Sequence, residues 1–326
     1  MKRQYLIVLM AAVFLNALIF IAPDTAPFPD LIHGGYFSSI MTRVIWSALF
    51  DILMVFFAVK AQAIFDLPYE VIMNRRITFN LAKNDFKVKY VGSYLGVFWA
   101  FINPLVMIIL YWIVFQYAFH SGDVDDHPFV LWLMAGMIPW FFIQEAIQNG
   151  TMALMEYSYL VKKVLFKISI LPAIKVFSAF IIHLAFMVIM FIIFTLFGEF
   201  PSLYWLQLIY YAACAIVLTL AIVYATSAIQ LFIRDLTQFV GVVLMILTWA
   251  TPIMWNPSVV SPKAMWIFKL NPAYYVITGY RDSLLYHIGL FARVANMLYF
   301  WTFVIVLLTI SSSVFKKLQP HFADII

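Results

Sequence analysis

The chain of 326 residues is 65% hydrophobic and 11% charged, with a mean hydropathy of +0.98, which excludes a soluble globular domain and describes an integral membrane protein. Its net charge of +5 does not point to nucleic acid, because Lys and Arg sit at the ends of apolar stretches, where the leaflet surface attracts them. The single cysteine, Cys214, lies inside an apolar run, so no disulfide framework or thiolate metal site can form within one chain.

A spanning helix needs roughly 20 mostly apolar residues. Eight stretches approach that length: 5–21, 44–65, 95–119, 129–146, 169–197, 205–232, 238–255 and 292–315. They predict an all-α polytopic membrane protein in three parts: an N-terminal extension with two transmembrane helices over 1–66, an amphipathic interfacial helix over 67–94, and a six-helix core over 95–326. Eight spans place both termini on one side. With that side cytoplasmic, fifteen of the twenty Lys and Arg residues fall on it, which sets the orientation in the cell membrane. Lys2 and Arg3 before an apolar stretch ending near Ala22 also fit a cleavable signal peptide. Asn16 interrupts that stretch and no clean small-x-small site follows, which favours retention.

The first non-spanning element covers residues 69–90. On a helical wheel Ile72, Phe79, Leu81 or Ala82, Phe86 and Tyr90 share an apolar arc, with Arg76, Lys83 and Lys87 at its margin. That is the pattern of a helix lying in the headgroup plane. Such a helix either only anchors the fold or also gates and guides an anionic lipid-linked substrate, and the same residues serve both roles. Over residues 87–105, KVKYVGSYLGVFWAFINPL, it turns without a break into a spanning helix. Farther on, residues 252–290 are apolar and aromatic yet interrupted by Pro252, Pro257, Pro262 and Pro272. Broken helices at membrane depth persist where they are buried in protein or line a cavity, so this stretch reads as short re-entrant helices on the outer side.

Ionisable groups inside spans are costly and often functional. Lys175 can snorkel to the inner surface, His183 is expected to be hydrogen-bonded between helices, and Asp51 to pair with a neighbour or stay protonated. Glu145, near an inner helix end beside Gln144 and Gln148, is the candidate for a pathway or gate. No paired carboxylates, metal-spaced His set or Ser-His-Asp arrangement is legible in the linear sequence, so enzymatic chemistry and a metal site have little support. Nor does a G-x-x-x-x-G-K-[S/T] phosphate loop occur, and the cytoplasmic segments are too short to hold a nucleotide-binding domain.

Six short motifs fall in order along residues 70–326. The basic surface helix leads into Lys89-Tyr90, Ser93, Leu95-Gly96, Trp99 and Asn103-Pro104-Leu105. GMIPW (136–140) follows with Phe141, Phe142 and Glu145, then LVKKVLFKISILP (160–172), Arg234-Asp235, Asn271-Pro272 with Tyr280-Arg281, and HFADII (321–326). This series resembles the membrane subunits of type-2 ABC exporters that move polysaccharides, such as O-antigen, capsule and wall teichoic acid permeases. Two departures stand out: Phe166-Lys167 replaces the family's common Phe-Pro, and the two helices before residue 66 exceed its usual six.

The resemblance implies a permease subunit rather than an enzyme, in which two copies enclose a channel and two copies of an ABC ATPase subunit bind beneath. ATP and Mg would belong to that partner, and this chain would hold no cofactor. Contact with the ATPase is expected from Tyr157, Leu160, Lys162, Lys163 and Phe166 in the connection from Met155 to Lys167, and from the Arg234-Asp235 turn. The implied cargo is a lipid-linked polysaccharide or teichoic-acid-type polymer. Its pyrophosphate would meet Arg76, Lys83, Lys87 and Lys89 beside Tyr90. Its sugars would stack on Trp112, Tyr117, Trp255, Trp266, Tyr274, Tyr275 and Tyr280, with Arg281 at the exit. Trp and Tyr also form belts at both membrane interfaces, Lys162 and Lys163 also serve as plain topology determinants, and Arg234 with Asp235 also fits a local ion pair shielding a tight turn. Competing readings are an ABC exporter of drugs or lipids and, from another class, a membrane-embedded glycosyl- or acyltransferase. That transferase would need clustered acid, base or His groups at one membrane face.

Overall fold

A computed structural model describes residues 66–89, 94–118, 122–161 and 167–325, together with Ala48, Asp51, Val91 and His120. The first two expected spans therefore lie outside the described residues, apart from Ala48 and Asp51, which are helical. Helix α1 (Arg75–Lys89) continues from a helical stretch over 66–73. Helix α2 (Trp99–Ile113) is entered through a 3-10 turn, Gly96–Phe98, whose glycine takes φ +53° as the chain bends out of the surface helix. It leaves through a π-helical turn, Val114–Ala118. The core continues as α3 (Phe129–Thr151), α4 (Ile170–Leu196), α5 (Gln207–Gln230) and α6 (Leu236–Ala250). Two short helices, α7 (Pro262–Lys269) and α8 (Pro272–Leu284), precede α9 (Val294–Leu318). No strand occurs among the described residues.

Five segments among them are long and apolar enough to cross a membrane: Gly96–Ala118, Phe129–Thr151, Ile170–Leu196, Leu203–Gln230 and Asn296–His321. The span expected over 238–255 is shorter. Its helix α6 stops at Ala250 after 15 residues, about 22 Å at 1.5 Å per residue, where a hydrocarbon core is roughly 30 Å thick. The cause is local: proline disfavours helical backbone in the residue before it, and Thr251, ahead of Pro252, takes ψ 134°. Later prolines start helices instead. Asn271 accepts a hydrogen bond from the backbone N–H of Ala273 (3.0 Å) with Pro272 at the first helical position, where a missing N–H costs nothing. Asn256 does the same for Ser258 (2.9 Å) ahead of Pro257.

Helix α3 is the centre of the bundle, packed by α4, α5 and α8, while α5 packs on α9. Of the apolar window in α3, 78% is buried inside the protomer, against 11% for the segment containing α2. In lipid, helices are held by close van der Waals packing rather than by a hydrophobic drive, so small residues mark the tightest crossings. At Gly150 of α3 an added Cβ would stand 2.5 Å and 2.6 Å from the two methyls of Val223 on α5. Gly150→Ala is accordingly expected to destabilise the folded chain by about 1–3 kcal/mol, seen as a lower thermal midpoint in detergent. Val223→Ala in the same chain should recover most of that loss, and a single variant as stable as wild type would contradict the crossing.

The C-terminal end of α4 closes in a Schellman motif. Gly198 takes φ +94°, the Glu199 N–H donates to Phe194 O (3.0 Å) and the Gly198 N–H to Thr195 O (3.2 Å). That turn delivers Glu199 to His127, 2.8 Å away at the start of α3. The ends of α3, α5 and α9 gather with α1 and the start of α4 at one pole of the bundle, and residues 251–293 gather at the other.

Candidate functional site

At the α1 pole, the helix buries only part of the arc that the sequence pattern indicates. Ala82 of that arc and the adjacent Thr78 are fully buried where α1 packs on α4, and Leu81 and Phe86 are partly buried against the core, while Ile72 and Phe79 remain 59% and 47% exposed. Small side chains let the two backbones approach, Phe79 meets the Phe177 ring of α4 at 5.0 Å, and Ile72 faces outward. Arg76, Lys83, Lys87 and Lys89 are all exposed. Tyr90 lies outside the described residues.

The packed face carries Asp85 into contact with Lys175 of α4, 2.6 Å away, and Lys175 also meets Glu156 at 2.5 Å. Tyr157 completes the cluster. Its hydroxyl donates to the same Asp85 oxygen at 2.7 Å, and the Lys175 ammonium lies 5.1 Å from the centre of its ring. Burial, and then the Asp85 carboxylate, hold the Tyr157 phenol above the ordinary tyrosine range, so it stays a donor. Lys175 thus does not snorkel: two carboxylates, delivered by α1 and by the turn Ala153–Glu156, reach its ammonium inside the fold. Glu145 of α3 is paired as well, with Lys89 at the end of α1, and both side chains are partly exposed.

The connection expected to meet an ATPase runs between these contacts. Lys162, Lys163 and Phe166 lie outside the described residues. Leu160 is buried in a cluster with Leu154, Ile170, Tyr224 and Phe315. Tyr157 on one flank touches Asp85, and on the other flank Ser169 donates to Glu70 while Lys167 lies 3.8 Å from it. Both flanks therefore end on the stretch that carries α1. Arg234 and Asp235 are exposed in a turn that Gln230 closes: its side-chain amide donates to Arg234 O (2.8 Å) and its carbonyl accepts from the Thr237 N–H (2.9 Å). No ion pair joins Arg234 to Asp235 among the described residues.

At the opposite pole, four of the residues expected at a glycan exit are packed inside the protomer: Tyr274 is 8% exposed, Tyr275 4%, Tyr280 0% and Arg281 4%. The hydroxyls of Tyr275 and Tyr280 are used there. Tyr280 shares a hydrogen bond with His183 of α4 at 2.8 Å, in line with the bridging role expected of that histidine. Tyr275 meets Tyr210 at 3.2 Å, and Trp301 donates to Tyr210 at 2.8 Å, tying α8 to α5 and α9. Asp282 takes two hydrogen bonds from Arg293, at 2.6 and 3.0 Å.

Arg281 reads main chain. Its Nη1 donates to Pro252 O (2.6 Å), its Nη2 to Ile253 O (2.8 Å) and its Nε to Trp132 O (3.3 Å), and its guanidinium stacks 3.3 Å from the centre of the Trp132 ring. Gly136 makes the room, since a Cβ there would stand 2.6 Å from Nη2. The rest of the GMIPW motif is equally committed, with Trp140 donating to Thr248 of α6 at 3.1 Å. Trp255 is half-buried, donates to Trp249 O at 3.0 Å and meets Phe268 of α7 edge-on at 5.3 Å. Trp266 lies on α7. Trp112 and Tyr117 form an edge-to-face pair at 6.2 Å along the open side of α2, with Tyr117 64% exposed.

Asp85, Glu156, Glu70 and Gln230 were not singled out by the sequence reading. Asp85 had one signal, a lone acid on an otherwise basic surface helix. Glu156 and Glu70 had none, because their partners are distant in sequence, and Gln230, which closes a local turn to Arg234 and Thr237, carries no charge to draw notice.

The ABC-2 type transporter model matches residues 77–285, well over half of the chain. Two O-antigen export system permease proteins RfbA of Klebsiella pneumoniae are 28% and 26% identical to it over 247 residues, 76% of this chain and 93% of theirs. One of the same description from Myxococcus xanthus is 24% identical over 260 residues, 79% of this chain and 98% of its own. These relatives are covered almost end to end.

Proposed function

The chain belongs to the ABC-2 type transporter family, and from that premise we propose that it is the membrane permease of an ATP-driven exporter moving a lipid-linked polysaccharide of the O-antigen class from the cytoplasm outward. The observation that carries this reading is the near full-length similarity to O-antigen export permeases. A second copy completes the channel. In support, α2 and α6 leave apolar side chains such as Val106, Leu110, Phe239, Met245 and Trp249 exposed, faces that lipid or a second copy covers. ATP and Mg are held by a separate ATPase subunit, docked on the connection from Met155 to Lys167 and on the Arg234–Asp235 turn. Because both flanks of that connection end on the α1 stretch, a push from the ATPase is felt by the surface helix. Arg76, Lys83 and Lys87 on that helix attract the carrier lipid's pyrophosphate, a favourable use of exposed cations at the headgroup plane. Trp112, Tyr117 and Trp255 offer ring faces to sugars along the path.

The test is purification of the tagged chain from its native host in mild detergent, with mass spectrometry of the proteins and lipids retained. Recovery of an ABC ATPase with a polyprenyl-linked glycan is the expected result. An ATPase with phospholipid alone would move the cargo to lipids or drugs, and absence of any ATPase where known complexes survive would overturn the exporter.

A further inference from the structure

Resting on that reading for which pole faces outward, we propose that Arg281 is a positioning residue that seats the re-entrant segment 251–271 and so keeps the outer mouth closed to small ions at rest. Three elements meet at its guanidinium: α8, which carries it; α3, through Trp132 O and the Trp132 ring; and the segment leaving α6, through Pro252 O and Ile253 O. Asp282, the adjacent carboxylate, is engaged by Arg293. The buried cation is therefore held chiefly by neutral carbonyl dipoles and a ring face.

A buried cation on neutral partners is a costly choice where apolar packing was available. It is explained by what the segment needs. Where α6 stops short of a full crossing, the carbonyls of residues 252 and 253 leave the helical ladder at a depth where water cannot serve them. One guanidinium with a planar fork of donors satisfies both and fixes their distance from α3. A second tether, Asn271 Nδ2 to Thr251 Oγ1 at 2.7 Å, draws the start of α8 to the same place. Between these two points hang Trp255 and α7, joined by the Trp255–Phe268 contact, so the reach of Arg281 sets where that unit sits. The Gly136 notch sets how close α3 allows it.

The test measures passive chloride entry into proteoliposomes holding the full transporter complex and a chloride-quenched dye, without ATP. Arg281→Gln removes the cation, and Gly136→Ala keeps it but displaces the guanidinium. Both are expected to raise the leak about tenfold, the population shift that corresponds to roughly 1.4 kcal/mol, with elution profiles unchanged. Arg281→Lys, which can serve one carbonyl but not the fork, should fall between them and wild type. If Gln or Ala prevents folding, the Lys variant decides: an intermediate leak supports the seat, and wild-type tightness overturns it. Folded Gln and Ala variants as tight as wild type overturn it equally. Stimulation of ATP turnover by the polyprenyl-linked glycan, read on the wild-type complex in the same vesicles, reports separately on the exporter reading.

Discussion

Lys175→Met is expected to destabilise the folded chain by about 3–5 kcal/mol, the cost of stripping one partner from a buried pair. The Asp85 side chain is only 12% exposed and that of Lys175 10%, so neither is rescued by solvent when the other is lost, whereas Glu156, at 48%, can turn to water. The loss should fall on the α1–α4 contact first, because Asp85 and Tyr157 reach α4 through this ammonium. Thermal unfolding in detergent checks it, and adding Asp85→Asn to the variant should return part of the lost stability by removing the stranded carboxylate. A single variant that unfolds at the wild-type midpoint would show that the cluster is bathed in water and ordinary. In the exporter reading, the same variant should bind the ATPase yet hydrolyse ATP without moving polymer, since the link between the connection and the surface helix is cut.

Gly279→Ala ranks second. A Cβ at this position would overlap the ring of Tyr211, which is 2% exposed and packed edge-on against Tyr275 at 5.5 Å. There is no flexible end to swing aside, because several ring atoms face the glycine at once. Either α8 backs away from α5 or the Tyr211 ring leaves its rotamer, and overpacking of this kind typically costs about 1–3 kcal/mol, occasionally more. The expected readout is a lower thermal midpoint together with weaker association of α8, measured as faster proteolysis within residues 251–293. Tyr211→Val should relieve the overlap, and a Gly279→Ala protein that unfolds and digests like wild type would contradict the contact.

Much of the architecture was legible before any coordinates because a bilayer leaves little choice. An apolar run of sufficient length must be a helix, since no other local structure satisfies its backbone in lipid. Lys and Arg at the ends of those runs indicate their orientation. The prolines of 252–290 announced a broken segment, though not where its pieces begin: Asn256 opens a 3-10 turn at Pro257 and Asn271 opens α8 at Pro272. The end of α6 was less legible: hydropathy continues smoothly through Ile253 and Met254, and only the backbone effect of Pro252 on Thr251 stops the helix. For α1, a helical wheel identified an apolar arc but not which side faces protein. The contact centres on one end of the arc, at Ala82 with Thr78 beside it, because small side chains permit close approach.

Roles of individual polar side chains divide along the same line. Composition, hydropathy and the order of motifs by themselves determined the class of protein, five of its helical spans and the amphipathic helix ahead of them, all properties of consecutive residues in a fixed solvent. Only the tertiary structure decided that Lys175 is shared by Asp85 and Glu156, that Glu145 belongs to Lys89, and that Arg281 and three aromatic residues expected at an exit are interior. Those pairings join residues between 19 and 149 positions apart, and their strength depends on distances of a few ångströms, which no local pattern encodes.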